Sequence, residues 1–176
     1  MNRHFFIIFF LFNTFGLMAQ NIEWVSWDKA VERAKKENKK IFIDIYTEGC
    51  IPCKNLEITT FAQPCIINYV NKYFIPVRLD ARTKDKLTFN NNNYEYTCEN
   101  GICYNELVAQ FTSGDLTFPS LVFMDENQNV IQSIPNYKDP MTFERIMAFY
   151  GQNYYFTIPW TRFERTYKPP KCSRSN

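Results

Sequence analysis

Cys50 and Cys53 are separated by Ile51 and Pro52, a C-x-x-C pair. Two thiols at this spacing can close a disulfide and exchange it with another. The preceding Ile41 to Tyr46 reads Ile-Phe-Ile-Asp-Ile-Tyr, β-branched and aromatic, and is expected to be a buried strand. The following residues through Phe61 mix polar and apolar types in a way that suits a helix. A sulfur where a strand hands over to a helix meets unpaired backbone N–H groups and the positive end of the helix dipole. Both favour the thiolate, which is the nucleophile. Cys53 can then reach back to open a mixed disulfide on Cys50, and Pro52 restricts the loop between them. Two other readings stand beside this one. The pair can be an inert structural disulfide, or half of an all-cysteine zinc site completed by Cys98 and Cys103.

Composition removes much of the competing chemistry. The only histidine is His4, and there are only five glycines: Gly16, Gly49, Gly101, Gly114 and Gly151. Without His4 the chain has no imidazole for Ser-His-Asp or Cys-His hydrolysis or for His-ligated metal. The glycines form neither GxGxxG nor GxxxxGK, so the common phosphate cradles are absent. A net charge of +2 over 176 residues leaves no footprint for nucleic acid. The chain is 45% hydrophobic and 18% aromatic, enough for a sizeable core in one domain.

Residues 1–19 read as a secretory signal peptide: Arg3, an apolar run from Phe5 to Phe12, and Leu17 and Ala19 before a cut at Gln20. The rival is a membrane anchor. That needs about 20 apolar residues, and Asn13, Thr14 and Gly16 interrupt this stretch. Removal of residues 1–19 takes His4 with it and leaves 19 basic against 18 acidic residues, +1, with no membrane span expected in the mature chain. The expected location is periplasmic or secreted, where disulfides persist.

The elements around the pair follow from pattern. Ser26 is a candidate N-cap for a helix with Trp27, Ala30, Val31 and Ala34 on one face. Pro64 opens another helix, and Phe74 to Leu79 is a second strand. Residues 81–103 are polar and read as a surface insertion containing Cys98 and Cys103, expected as a small structural disulfide, with acceptance of electrons from Cys50 and Cys53 or metal ligation as the alternatives. Tyr104 to Phe111 is a short helix. Phe118 to Asp125 and Val130 to Ile134 read as a hairpin, and Asp139 caps a last helix. The expected domain spans 20–153, with 154–176 an aromatic then basic tail on the surface. This order gives an α/β sandwich with a central mixed sheet. Cys65 and Cys172 can pair with each other, or Cys65 can be a buried free thiol.

From Trp24 to Cys53 the chain resembles the thioredoxin superfamily, in particular exported thioredoxin-related proteins of bacteria. The strand runs into the C-x-x-C pair, and Asp44 lies six residues before Cys50, where thioredoxins carry a buried acid. Thr59-Thr60-Phe61 followed by Ile66 to Asp80 resembles the second helix and strand of that subfamily. Phe118-Pro119-Ser120 resembles its cis-proline loop, and the likeness extends over about residues 22–150. It implies a thioredoxin-like three-layer sandwich. It also implies that Cys50 attacks, Cys53 resolves, Asp44 relays a proton to or from Cys53, and a cis Pro119 shapes the substrate groove.

Three departures accompany the resemblance. Gly49 stands where thioredoxins usually have Trp, the intervening residues are Ile-Pro rather than Gly-Pro, and the 81–103 insertion is extra. The expected function is an exported thiol–disulfide oxidoreductase acting on protein cysteines. Pro52 favours a reducing role, since oxidases and isomerases of the superfamily often place His there. The expected partners are exported proteins with cysteines and a membrane electron donor; no cofactor and no nucleic acid are expected. The alternative is a redox-inactive binding module using Tyr154, Tyr155, Phe156 and Trp160 as its contact surface.

Overall fold

The computed structural model describes residues 21–169; the signal-peptide reading and Cys172 lie outside them. Four strands form the central sheet: β1 (Lys40–Tyr46), β2 (Phe74–Asp80), β7 (Ser120–Met124) and β8 (Val130–Pro135), in the order β2-β1-β7-β8. β1 runs parallel to β2, while β7 is antiparallel to both β1 and β8. This is the mixed sheet of a thioredoxin-like α/β fold. The β7–β8 hairpin turns at Asp125, whose carboxylate accepts the Asn127 and Asn129 N–H groups.

Period-two alternation splits the sheet's side chains into two cores. Ile41, Ile43 and Ile45 face α1 (Trp27–Glu37) and α4 (Glu106–Thr112), with Ile75, Val77 and Phe111 in the same cluster. Phe42 faces the other way, into a cluster with α3 (Pro64–Tyr73) and α5 (Pro140–Gly151) that holds Phe61, Phe74, Phe123 and Phe143. The layers are therefore helix, sheet and helix. Asp44 lies on the Phe42 side of β1 by the same alternation. α5 is capped by the Asp139 carboxylate, which accepts the Met141 and Thr142 N–H groups at 3.0 and 3.1 Å.

Several expectations are corrected. Ser26 occupies the N-cap position of α1 but makes no side-chain cap bond. The helix after Cys53 is α-helical only over α2 (Ile51–Asn55) and continues as a π-helix over Leu56–Phe61. Tyr104 belongs to a strand, and α4 begins two residues later, capped by the Asn105 side chain.

The 81–103 segment is not a featureless surface insertion. It folds into two hairpins, β3 (Leu87–Phe89) with β4 (Asn92–Tyr94) and β5 (Tyr96–Glu99) with β6 (Ile102–Asn105). Their two-residue turns, Asn90-Asn91 and Asn100-Gly101, take positive φ, the geometry that matches strand twist. Leu87 and Phe89 are buried, and the Trp27 indole donates to the Thr88 carbonyl at 2.9 Å. The first hairpin thus closes the α1 core.

Residues 154–169 are also more than a surface tail. A 3-10 turn, Tyr154–Phe156, leads into α6 (Trp160–Thr166). Phe163 is 1% exposed and its ring lies 5.1 Å from that of Phe149. A third core of rings therefore joins α6 to α5. Of the four aromatic residues proposed as a contact surface, Phe156 is the strongly exposed one at 73%, while Tyr154, Tyr155 and Trp160 pack around that core.

Candidate active site

β1 ends at Tyr46, and the chain turns through Gly49 into α2. Gly49 has φ +76°, the left-handed region, yet a Cβ built there would meet nothing within 4 Å. Backbone conformation, not space, is what calls for glycine at this position. Cys50 follows as the N-cap of α2, with Pro52 in the first turn. Its sulfur accepts the Cys53 N–H at 3.2 Å. This places one of the orphan donors of the helix start on the sulfur. Cys50 and Cys53 form a disulfide of 2.05 Å. Cys50 is half-buried, whereas Cys53 is 5% exposed. Ile51 between them is 74% exposed.

The disulfide borders a cleft of about 290 Å³ lined by Tyr46, Glu48, Lys54, Glu57 and Arg78 among others. Arg78 organises its charges. Its guanidinium makes a two-pronged pair with Glu57, Nη1 to Oε1 at 3.0 Å and Nη2 to Oε2 at 2.8 Å, and lies 4.6 Å from the Tyr46 ring centroid. Its Nε is 3.6 Å from Oδ2 of Asp44, beyond hydrogen-bonding reach. Asp44 is 3% exposed, and its Oδ1 has no hydrogen-bond partner. Burial therefore pushes its carboxyl up to about 7, Arg78 pulls it down, and the Glu57 charge pushes it up again. Glu57 itself is held below the usual carboxylate range by its hydrogen bond to Arg78.

Neither Arg78 nor Glu57 was singled out from sequence. A signal existed: Arg78 is the one charged residue within the apolar run Phe74 to Leu79, as Asp44 is within Ile41 to Tyr46. Both are fifth in their strands, and the strands start level, Lys40 against Phe74, so Asp44 and Arg78 fall side by side.

The remaining sequence candidates are placed as follows. The Phe118–Pro119 peptide is cis. Ser120 pairs with Ile45, so Pro119 stands one residue further on, at the end of the sheet where β1 leads to the disulfide. The loop after β8 is tied to the same end by the Asn136 N–H, which donates to the Pro119 carbonyl at 2.8 Å. Cys98 and Cys103 form a second disulfide, facing each other across the β5–β6 hairpin. The four sulfurs are thus in two separate bonds and do not converge, and among the described residues no cluster of His, Cys, Asp and Glu is arranged to hold a metal. Cys65 is a partly exposed free thiol on α3, not a buried one.

The chain belongs to the thioredoxin-like domain family, which it matches over residues 27–151. Among solved structures it is similar to a DsbH oxidoreductase, with 19% identity and a TM-score of 0.56 over 81% of this chain and 92% of that one. It is similar to a thioredoxin-fold protein from Helicobacter pylori, with 19% identity and a TM-score of 0.53 over 73% and 82%. A putative disulphide-isomerase from Bacteroides thetaiotaomicron gives 22% identity and a TM-score of 0.52 over 74% and 93%. At these identities the likeness is one of fold. A search of curated proteins finds no match. Among the described residues no helix is long and apolar enough to cross a membrane.

Proposed function

We propose that this chain is an exported thiol–disulfide oxidoreductase that acts on cysteines of other exported proteins, chiefly as a reductant. The observation that carries the reading is the unequal pair at the start of α2: Cys50 half-buried with an N–H on its sulfur, Cys53 buried behind it. In the reduced protein the Cys50 thiolate attacks a substrate disulfide, forms a mixed disulfide and releases one substrate thiolate. Cys53 then loses its proton, attacks Cys50 Sγ and releases the second substrate thiolate. Asp44, with its carboxyl near neutrality, receives that proton. Pro119, at the same end of the sheet, shapes the groove in which substrate lies.

Export rests on the apolar N-terminal segment, and the reducing direction on Pro52. The names of the DsbH oxidoreductase and the putative disulphide-isomerase agree with the chemistry. A membrane electron donor would keep such a reductant charged. Equilibration with dithiothreitol of known ratio tests the direction. The expected potential for Cys50–Cys53 lies near that of thioredoxin, about −270 mV, and a value near that of a strong oxidant, about −120 mV, would reverse the proposed flow.

A further inference from the structure

We propose that the Cys98–Cys103 disulfide is a second exchange site, through which electrons from an external dithiol enter and pass to the Cys50–Cys53 disulfide. The inference rests on the exchange activity proposed above. Its starting point is how little the fold asks of this bond. Cys98 and Cys103 are already directly opposed in the β5–β6 ladder, with pairs on either side of them. The Asn100-Gly101 turn specifies that hairpin by itself. The bond closes a loop so short that its entropic contribution lies at the low end for disulfides. None of residues 96–104 is buried, so no core packing depends on it.

The hairpin's base is held firmly where its tip is not. Asn105 is fully buried, and its side chain donates to the Asp85 and Thr83 carbonyls at 3.0 and 3.4 Å. Its backbone N–H donates to the Ala81 carbonyl at 2.7 Å, and the Ala81 N–H donates to the Tyr46 carbonyl at 2.8 Å. The hairpin and the Cys50 loop therefore leave the same end of the sheet. Cys98 is exposed, as an attacking or attacked sulfur must be.

The direction follows from the two environments. Cys50 Sγ accepts a helix N-terminal N–H, which favours its thiolate and hence the reduced form of that pair. The hairpin sulfurs sit in strand, and Glu99 and Tyr104, next to them in sequence, fall on the other face of the ladder. No helix N-terminus serves those sulfurs; Lys84 lies 5.8 Å from the Tyr96 ring centroid, and Lys86 pairs with Glu95 near the base of the hairpin.

The transfer balances in two exchanges. An external dithiol reduces Cys98–Cys103 and is itself oxidised to a disulfide. The Cys98 thiolate then attacks Cys50 Sγ; the Cys50–Cys53 bond breaks, and Cys53 leaves as thiolate and takes a proton. Cys103 next attacks Cys98 Sγ, re-forming the hairpin disulfide and releasing the Cys50 thiolate. Two electrons have moved from hairpin to active-site pair.

Two full-length variants test this, Cys50→Ser/Cys53→Ser and Cys98→Ser/Cys103→Ser. The first is reduced with dithiothreitol, freed of it, and mixed anaerobically in equal amount with the oxidised second. Acid quench, alkylation and peptide mass mapping read each pair. The expected result is reduced Cys50/Cys53 exceeding reduced Cys98/Cys103 at least about tenfold at equilibrium; in an equimolar mixture that is an equilibrium constant of about 100, equivalent to about 60 mV. With wild type, a transfer rate unchanged on dilution marks a route within one chain, and a proportional fall marks a route between copies; both support the proposal. An intact Cys50–Cys53 disulfide beside a reduced hairpin, both in this mixture and within wild type, overturns it, provided dithiothreitol reduces Cys50–Cys53 in the same variant. If dithiothreitol does not, the exchange activity proposed for Cys50–Cys53 falls as well.

Discussion

Asp44 and Arg78 are register partners on β1 and β2, yet the Arg78 Nε stops 3.6 Å short of the Asp44 carboxylate. The guanidinium's other two nitrogens are committed to Glu57. The result is a buried acid with a cation beside it and no hydrogen bond to hold its charge. Such an acid is costly when ionised, and its proton is available near neutral pH.

This has a consequence for stability. The folded-state value of Asp44, about 7, lies above its ordinary 3.8. The folded protein therefore binds this proton more tightly than the unfolded chain, and stability falls as pH rises from about 4 to about 7. Asp44→Asn is expected to remove that fall and to make the oxidised protein more stable at pH 8 by roughly 2–4 kcal/mol. Denaturant unfolding at a series of pH values checks it; parallel profiles for both proteins would show that Asp44 does not titrate there.

Arg78 and Glu57 push Asp44 in opposite directions. Arg78→Met should raise the Asp44 value further, and Glu57→Gln should lower it, by about 0.5–1 unit each at the dielectric of a partly exposed pair. A carboxyl titration followed by NMR resolves the two shifts. Shifts of the same sign would mean that the Arg78–Glu57 pair does not set the field at Asp44.

Gly49 precedes Cys50 with a φ of +76°, so its place is a backbone matter. Gly49→Ala is expected to destabilise by about 1–2 kcal/mol despite the open space around it. Equilibrium unfolding measures this. A neutral substitution would show that the turn relaxes to negative φ at little cost.

Phe163 ties α6 to α5 through a buried ring. Phe163→Ala should cost about 3–5 kcal/mol, the range of buried aromatic truncation. A loss below about 1 kcal/mol would return α6 to the status of a surface tail.

What could be read in the sequence was whatever local pattern decides. β1, β2 and β7 announce themselves as apolar runs, β8 as the second arm of a short hairpin, and Asp139 as a cap whose carboxylate does bind two N–H groups. The C-x-x-C pair was legible for the same reason, since strand, turn and helix are contiguous around it. The hairpins were harder because Leu87-Thr88-Phe89 offers only two apolar anchors inside a polar stretch. The Asn90-Asn91 and Asn100-Gly101 turns were the available signal. α6 is short, and its Trp160, Phe163 and Tyr167 spacing is visible only once α5 supplies a surface to meet it. Arg78 reaches Asp44 through a parallel register joining residues 34 apart, which no local pattern encodes.

The division of labour between Cys50 and Cys53 is the claim on which the functional account stands, and trapping tests it most directly. Cys53→Ser protein, reduced and incubated with a denatured disulfide-bonded substrate, should accumulate a stable mixed disulfide on Cys50, because nothing remains to resolve it. Cys50→Ser protein should accumulate little, since Cys53 is 5% exposed. Non-reducing electrophoresis with mass mapping of the bridged peptides reads both. Trapping on Cys50 alone is the predicted result. Equal trapping by the two variants, or none by either, would contradict the account and leave Cys50–Cys53 a structural bond.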